Sequence, residues 1–422
     1  MDRNKDHRRK LLEADRRQVR LISLDLEAAV AEDDQVRAVW VFAERVDLSS
    51  FYGEIKSEVG LPGRPAIDPK ILFALWVQAT LDGVGSAREV ERRCSVDLRY
   101  QWICGGVVPN YHTLSDFRSR SAKAFDQILT DIVAVMLTEG LVEMKRVAQD
   151  GVRVRASAGA GSFRRGKRLK EMRRVAREQV ETLKAELDEA PAGSKRREDA
   201  AQKRAANERL ERIERALKLL PEAEQRKKSN NGKKKTEARV STTDPDARVM
   251  KMADGGFRPA FNVQFAADTK SKVIVGADVT NEGTDLQQMA PMITKIEDSF
   301  ECPDQWLVDG GYVNLDQINA SAGRGCQIYA PPRAPRAKGK RATEVRRTDS
   351  PAVAAWRIRM ASEEGKQIYK QRASTAELVN AHARQRGLQQ FLVRGLERVL
   401  SVVLLHAITH NFARWRALSP AF

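Results

Sequence analysis

Cysteine is scarce in this chain of 422 residues, and long apolar runs are missing. The cysteines show no Cys-x-x-Cys spacing, so the sequence indicates neither a zinc ribbon nor a disulfide framework. No uninterrupted apolar stretch is long enough to span a membrane, and the first residues lack the apolar segment of a signal peptide. We therefore expect a cytoplasmic protein that has no membrane partner. The four cysteines are Cys94, Cys104, Cys302 and Cys326.

Positive charge is in excess, and the formal net charge is +17 at pH 7. Such an excess favours a polyanion as partner, and nucleic acid is the first candidate. The hydrophobic content of 42% is enough for buried cores, and the length predicts two or three domains.

Helical sequence occupies the first third of the chain, as a lead-in over residues 1–50 and a compact domain over 51–140. Asp68-Pro69 predicts a helix start, with an N-cap followed by proline. A later turn predicts a helix that presents Arg118 and Arg120. Short helices joined by glycine-containing turns are typical of helix-turn-helix DNA binders. A plain helical bundle with a solvated basic face is the alternative.

A charged, glycine-poor block over residues 164–239 interrupts the chain. Two helical stripes of apolar residues, separated by a turn signal at 190–194, predict an antiparallel hairpin. The run from Arg226 to Lys235 predicts a mobile basic loop. The hairpin could reach along DNA or pair with a second subunit, and a solvated hairpin without DNA contact is the alternative.

Strand-like sequence surrounds this block in segments 141–163 and 240–422. Strands are predicted at Arg146 to Arg155, Phe261 to Ala267 and Val273 to Val279, followed by a helix at Thr284 to Ile296. Further strands at Gln305 to Asp309 and Cys326 to Ala330 precede the final helices. This order predicts an α/β RNase H-like catalytic domain interrupted by the helical hairpin and preceded by an all-α, helix-turn-helix-like domain.

Three carboxylates are candidates for one catalytic cluster. Asp150 lies in the first strand before Gly151, Asp309 closes an apolar run before two glycines, and Glu377 lies in a helix. Taken singly, each could be a turn, cap or solvated residue. Together they could hold two divalent ions, which in-line attack on a phosphodiester requires.

Other polar residues could belong to the same region. Lys251 and Arg258 could bind phosphates. Asn281, Glu282 and Asp285 lie at the end of the third strand, near where the metal ions would be. Each could equally be a loop cap, and we favour capping for Glu282 and Asp285. His406 and His410 lie four apart in an apolar helix, where a core position is favoured over metal ligation.

Three stretches of the chain match the sequence pattern of a known family most specifically. They are Ser241 to Lys251, Phe257 to Gln264 and Tyr369-Lys-Gln-Arg-Ala-Ser-Thr-Ala-Glu377. With them the chain resembles the bacterial insertion-sequence transposases of the DDE superfamily, in the branch with a Tyr-x2-Arg…Glu signature. The resemblance extends from about residue 51 to 415. One departure is Arg384, where relatives commonly have lysine.

The resemblance implies that Asp150, Asp309 and Glu377 are the catalytic, metal-binding acids, and that Tyr369 and Arg372 are the signature pair. It implies two Mg²⁺ ions per active site, with Mn²⁺ able to substitute. Cleavage would expose 3′-hydroxyls at the element's ends, which then attack target DNA. A homodimer or larger synaptic complex, associated with the bacterial nucleoid, is expected. The DNA contacts expected around this centre are Tyr369, Arg372, Arg384, Lys251, Arg258, Arg118 and Arg120.

Two other functions remain possible from the sequence. A non-catalytic DNA-binding regulator derived from a transposase would keep the basic charge but would not need all three acids. A metal-dependent DNA nuclease would cleave without strand transfer.

Overall fold

The computed structural model describes residues 23–57, 65–189, 196–231, 237–333 and 341–419. The first part of the predicted lead-in, the predicted turn at 190–194 and positions 232–235 of the predicted basic loop lie outside the described residues.

Short helices form the N-terminal part, and polar caps set where several of them begin. The Asp68 side chain accepts from Lys70 N and is followed by Pro69, as predicted. Ser86 and Asn110 cap two later helices, and Gly105 ends another in the left-handed conformation. The helices are α1 (Leu26–Ala29), α2 (Gln35–Arg45), α3 (Ser49–Tyr52), α4 (Pro69–Leu81), α5 (Ala87–Val96), α6 (Leu98–Cys104), α7 (Tyr111–Arg120) and α8 (Ala122–Thr138).

A mixed six-stranded sheet follows, and its order is β4-β5-β1-β7-β8, with β6 also paired to β5. β5 runs antiparallel to β1, β4 and β6, whereas β7 and β8 run parallel to β1. β2 and β3 form a separate small ribbon. The strands are β1 (Arg146–Arg155), β2 (Phe163–Arg164), β3 (Val240–Ser241), β4 (Arg248–Lys251), β5 (Phe257–Asp268), β6 (Ile274–Thr280), β7 (Gln305–Leu307) and β8 (Gln327–Tyr329).

The remaining helices are α9 (Gly166–Glu189), α10 (Arg196–Asn231), α11 (Met289–Glu297), α12 (Leu315–Gly323), α13 (Pro351–Ala361), α14 (Glu363–Gln385) and α15 (Leu396–Leu418). The helices α9 and α10 pack against each other, and an ion pair joins Arg177 to Glu214. A mixed sheet with helices, preceded by a helical region, confirms the predicted α/β class at this level.

One hydrophobic core runs through the N-terminal helices and the sheet, and α15 lies at its centre. α15 contacts α4, α7 and α8 as well as strand β6. The Phe412 ring centroid lies 4.9 Å from that of Phe42 in α2. On the sheet side, the Asn411 amide donates to Ile274 O and accepts from Ile274 N, both at 2.8 Å. The N-terminal helices and the sheet are therefore packed as one body around this helix.

Two sequence predictions of local structure are wrong. The predicted helix from Thr284 begins only at Met289, because the preceding residues turn beside the sheet. The predicted basic loop is helical as far as Asn231, within α10. Its first residues are held by partners, since Arg226 pairs with Glu222 and Glu282.

Candidate active site

Asp150 lies in the middle of β1, between the neighbouring strands β5 and β7. Its two carboxylate oxygens have different partners on α14. Arg372 Nη2 donates to Oδ1 at 2.8 Å, and Asn380 Nδ2 donates to Oδ2 at 2.8 Å. Burial raises the pKa of Asp150, and the Arg372 charge opposes that rise. The first predicted acid is therefore a half-buried carboxylate fixed by two helix side chains.

Asp309 lies beside Asp150 because of the strand register. Val147 pairs with Trp306 and Ala148 with Leu307 in parallel β1 and β7, so Asp309 is at the level of Asp150 just beyond the last pair. Its Oδ2 lies 3.8 Å from Arg372 Nη2. Its Oδ1 accepts from Gly311 N at 2.7 Å. The structure thus brings two of the predicted acids to the same guanidinium group.

The face of α14 that meets these aspartates carries Tyr369, Arg372 and Asn380, at spacings that place them on one side of a helix. Tyr369 is half-buried and hydrogen-bonds with Arg372. Burial raises the pKa of Tyr369, and Arg372 opposes the rise. The signature tyrosine and arginine therefore lie next to Asp150.

Glu377 is not brought to the two aspartates. Its side chain is exposed on α14, one helical turn before Asn380. Within the described ranges, no three His, Cys, Asp or Glu side chains are grouped closely enough to hold a metal ion. The expected cluster of three carboxylates is therefore present here only as the pair of aspartates.

Asp285 lies close to Gly151 and Asp150. We expected a loop cap, but its Oδ1 accepts from Asn262 Nδ2 at 2.7 Å and from Gln264 Nε2 at 2.9 Å. Its Oδ2 accepts from Arg153 Nη2 at 3.1 Å. The Asp285 charge adds to the rise in the pKa of Asp150. The signal was available on β5, where two polar residues alternate on one face of an otherwise apolar strand.

Gly151 makes this arrangement possible. A Cβ atom at this position would lie 2.5 Å from Asp285 Oδ1, 2.5 Å from Gln264 Nε2 and 2.9 Å from Asn262 Oδ1. All three distances are below normal van der Waals contact, so a larger residue would displace these side chains. The glycine that follows Asp150 in β1 therefore lets Asp285 approach Asp150.

A buried hydrogen-bond network lies beside the acids. Tyr312 OH donates to Gln264 Oε1 at 2.5 Å, and Gln149 Nε2 donates to the same oxygen at 2.9 Å. Trp306 Nε1 donates to Gln149 Oε1 at 3.1 Å. Burial and the surrounding carboxylates raise the pKa of Tyr312 well above its usual value. Because the network links β1, β5 and β7, it fixes the strands that carry Asp150 and Asp309.

A basic groove of about 680 Å³ begins at Gly151 and leads away from the aspartates. It contains three cationic residues expected from the sequence to bind DNA, which are Lys251, Arg258 and Arg384. Arg258 is also paired with Asp254 at the groove's surface. The groove's other two cationic residues, Arg153 and Arg155, come from β1 itself and were not anticipated.

Arg118 is placed differently from Arg120, although both lie on α7. Arg120 is exposed, as predicted. The prediction that Arg118 is presented to solvent is wrong, because its side chain is buried, with 6% exposure. Its guanidinium lies 4.1 Å from the centroid of the Trp76 ring and donates to Gly85 O at 2.5 Å. We therefore leave Arg118 out of the DNA contacts proposed below.

The polar turn before β4 serves to hold helices in place. Asp244 Oδ1 accepts from Gly395 N and Asp246 Oδ2 accepts from Leu396 N, at the start of α15. Asp246 also accepts three hydrogen bonds from the guanidinium of Arg215 on α10. This segment, one of the most specific in the sequence, anchors the central helix and α10 to the sheet.

None of the helices in the described part of the chain is both long and apolar enough to cross a membrane.

Family models match two separate segments of the chain. A model described as a transposase domain (DUF772) matches residues 24–120, which include helices α2 to α7. A model described as a transposase DDE domain matches residues 313–416, which include Tyr369, Arg372 and Glu377. The chain has no significant match among the curated proteins or among the solved structures. The two matched segments together support an insertion-sequence DDE transposase.

Proposed function

We propose that this DNA transposase cleaves strands at the ends of its element and joins the resulting 3′-hydroxyls to target DNA, with Asp150, Asp309 and Glu377 as its catalytic acids. The observation that carries the proposal is the contact of Asp150 and Asp309 with the single guanidinium of Arg372. Two carboxylates around one cation are the start of a site for a divalent ion.

The strand order supports an RNase H-like fold for this catalytic unit. β6-β5-β1-β7-β8 is a five-strand path in which β5 alone opposes the direction of β1. Along the chain, helices α9 and α10 come after β1 and before the other strands of the six-stranded sheet. This order supports an inserted helical hairpin. We retain domain boundaries of 1–50, 51–140, 141–163 with 240–422, and 164–239 as part of the proposal.

The donor set fits divalent metal ions of the hard class. Mg²⁺ and Mn²⁺ prefer carboxylate oxygen, and the guanidinium of Arg372, which contacts both carboxylates, balances only one of their two negative charges. Asp150 and Asp309 would hold the two ions, and Glu377 would complete the second site after its exposed side chain has moved toward the aspartates. When bound, the ions supply the charge that acidifies the attacking hydroxyl and stabilises the leaving oxygen.

The chain's own residues would position the DNA strand around these acids. Asn380 fixes one oxygen of Asp150, so the carboxylate keeps its orientation when the other oxygen changes partner. Arg372 would then be released to contact a phosphate of the substrate, for which its planar donor pair is suited. Tyr369 would orient the strand next to Arg372. Asp285 is a positioning residue, because it holds the guanidinium of Arg153 at the mouth of the basic groove.

The basic groove supports a path for DNA that leads away from the acids. Arg153, Arg155, Lys251, Arg258 and Arg384 line or border it, and cations in this arrangement bind phosphates along a backbone. The helical N-terminal part, with Arg120 exposed on α7, would bind a further stretch of the element's end.

A synaptic homodimer or larger complex is part of the proposal, because an element has two ends that must be held together.

The test uses the full chain, a supercoiled plasmid that carries the element's ends, and a target plasmid. We expect breaks at the ends and joined products in Mg²⁺, and neither in EDTA. Breaks without joined products would reduce the function to that of a nuclease. Binding without breaks in either Mg²⁺ or Mn²⁺ would contradict the proposed catalysis.

A further inference from the structure

A small cavity of about 30 Å³ lies where helices α4 and α7 meet the segment after α14 and the middle of α15. We call it the junction cavity. Its titratable lining residues are Arg118 from α7, Arg386 from the end of α14 and His406 from α15, and the polar residues Thr80 and Gln390 also line it. Its apolar lining includes Phe391 and Leu405. The cavity is therefore bordered by three different parts of the fold.

Each of the cavity's three titratable residues carries a buried nitrogen atom that lacks a hydrogen-bond partner among the described residues. These atoms are Arg118 Nε, Arg386 Nη1 and His406 Nδ1. An unsatisfied buried donor costs about 1–3 kcal/mol, and such groups in native proteins commonly mark a bound water or ion. Three of them around one cavity indicate a missing acceptor.

The charge around the cavity has one sign. Neither Arg118 nor Arg386 forms an ion pair with a carboxylate of the described part of the chain. Burial lowers the pKa of Arg118 to about 10 and also lowers that of Arg386. Both arginines add to the fall in the pKa of His406. Buried positive charge without compensation is costly, so the site favours an acceptor that is also an anion.

The walls of the cavity leave little space. A volume of about 30 Å³ is sufficient for one water molecule or a monatomic anion, and it favours these over a bulkier phosphate or sulfate group. The loops that border the cavity touch through backbone, since a Cβ atom at Gly387 would lie 2.8 Å from Gly83 O. Gly83 and Gly387 both have positive φ angles, of 71° and 86°. Two glycines at this contact keep the loops close and the cavity small.

We propose that the junction cavity is a binding site for a monatomic halide, chloride under ordinary conditions, held by Arg118, Arg386 and His406. The anion accepts hydrogen bonds from Arg118 Nε and Arg386 Nη1, and from His406 Nδ1 in the tautomer that carries the ring proton on this nitrogen. It thereby links α7 to the end of α14, the helix that carries Arg372 and Glu377. The three residues that hold the anion are different from the proposed catalytic acids.

Bromide provides the direct test, because it replaces chloride and has a strong anomalous X-ray signal. Crystals of the wild-type chain grown or soaked in sodium bromide should show an anomalous peak within hydrogen-bond distance of Arg118 Nε and Arg386 Nη1. An ordered water without anomalous signal at that position would overturn the proposal.

Stability in solution provides a second readout. Replacing sodium gluconate by sodium chloride at equal concentration should raise the melting temperature of the wild type by about 1–3 °C, because only the folded state binds the anion. Arg386→Met should lose this difference, whereas Arg398→Met, which removes an exposed arginine of α15, should keep it. A difference of the same size in all three proteins would be a general salt effect and would contradict a halide site. If Arg386→Met does not fold, the bromide experiment on the wild type decides alone.

Discussion

Removing Arg372 should destabilise the metal-free protein, because this side chain is the cation shared by Asp150 and Asp309. The substitution Arg372→Gln keeps the side chain's polarity but leaves two carboxylates facing each other. Arg372 Nη2 lies 2.8 Å from Asp150 Oδ1 and 3.8 Å from Asp309 Oδ2. Unit charges at about 4 Å attract by roughly 4 kcal/mol at the effective dielectric constant of partly buried sites.

That attraction must be discounted for exposure before it becomes a stability. Arg372 and Asp150 are 17% and 22% exposed, whereas Asp309 is 43% exposed and well screened by solvent. We expect a net loss of about 2–3 kcal/mol in unfolding free energy, most of it from Asp150. The assay is urea unfolding at pH 7 in EDTA, followed by tryptophan fluorescence. Lys370→Gln, which removes an exposed charge from the same helix, should change stability by less than about 0.5 kcal/mol.

The loss should also depend on pH in a defined direction. The pKa of Asp150 is raised in the folded state, so its proton is bound more tightly there than in the unfolded chain. As the pH falls from 7 toward 3.8, the ordinary value of this carboxyl, Asp150 becomes protonated and no longer needs a cation beside it. The difference between wild type and Arg372→Gln should therefore shrink. Equal stability of Arg372→Gln and Lys370→Gln, or a difference that grows at low pH, would refute the reasoning.

Three further predictions concern the same region. Mn²⁺ should raise the melting temperature of Arg372→Gln more than that of the wild type, because no guanidinium competes for the carboxylates; an equal rise would count against a shared cation site. Gly151→Ala should lower the unfolding free energy by about 1–3 kcal/mol. Gly159→Ala, whose Cβ would meet nothing within 4 Å, should leave the unfolding free energy unchanged. Similar urea midpoints for the two variants would contradict the packing argument. Arg155→Gln should reduce the slope of log affinity against log salt by about 0.9 in gel-shift titrations; an unchanged slope would remove Arg155 from the DNA path.

The strands that carry the acids could be predicted from the sequence because their signal is local. The bounds of β1 are those predicted, since Val152 and Val154 alternate with exposed or half-buried arginines. Asp309 was expected at the carboxyl end of a buried strand, and parallel pairing with β1 then places it beside Asp150.

The rest depends on contacts that no local pattern contains. In the sequence Asp285 resembles a loop cap. Its hydrogen bonds with Asn262 and Gln264 depend on where the fold places β5. Arg118 has the sequence context of an exposed helix arginine, but the ring of Trp76, distant in sequence, covers it. The exposed position of Glu377 on α14 likewise depends on how the helix is rotated against the sheet, which its mixed polar and apolar sequence does not specify.

The central claim is that Asp309, with Asp150 and Glu377, performs the cleavage chemistry. The most direct measurement is the rate at which Asp309→Asn cleaves a supercoiled plasmid carrying the element's ends in Mg²⁺, beside its affinity for the same DNA. We expect cleavage to fall by about 10³-fold or more, because a metal-binding carboxylate is lost, while affinity changes by less than about threefold. Cleavage by Asp309→Asn at the wild-type rate would contradict the account.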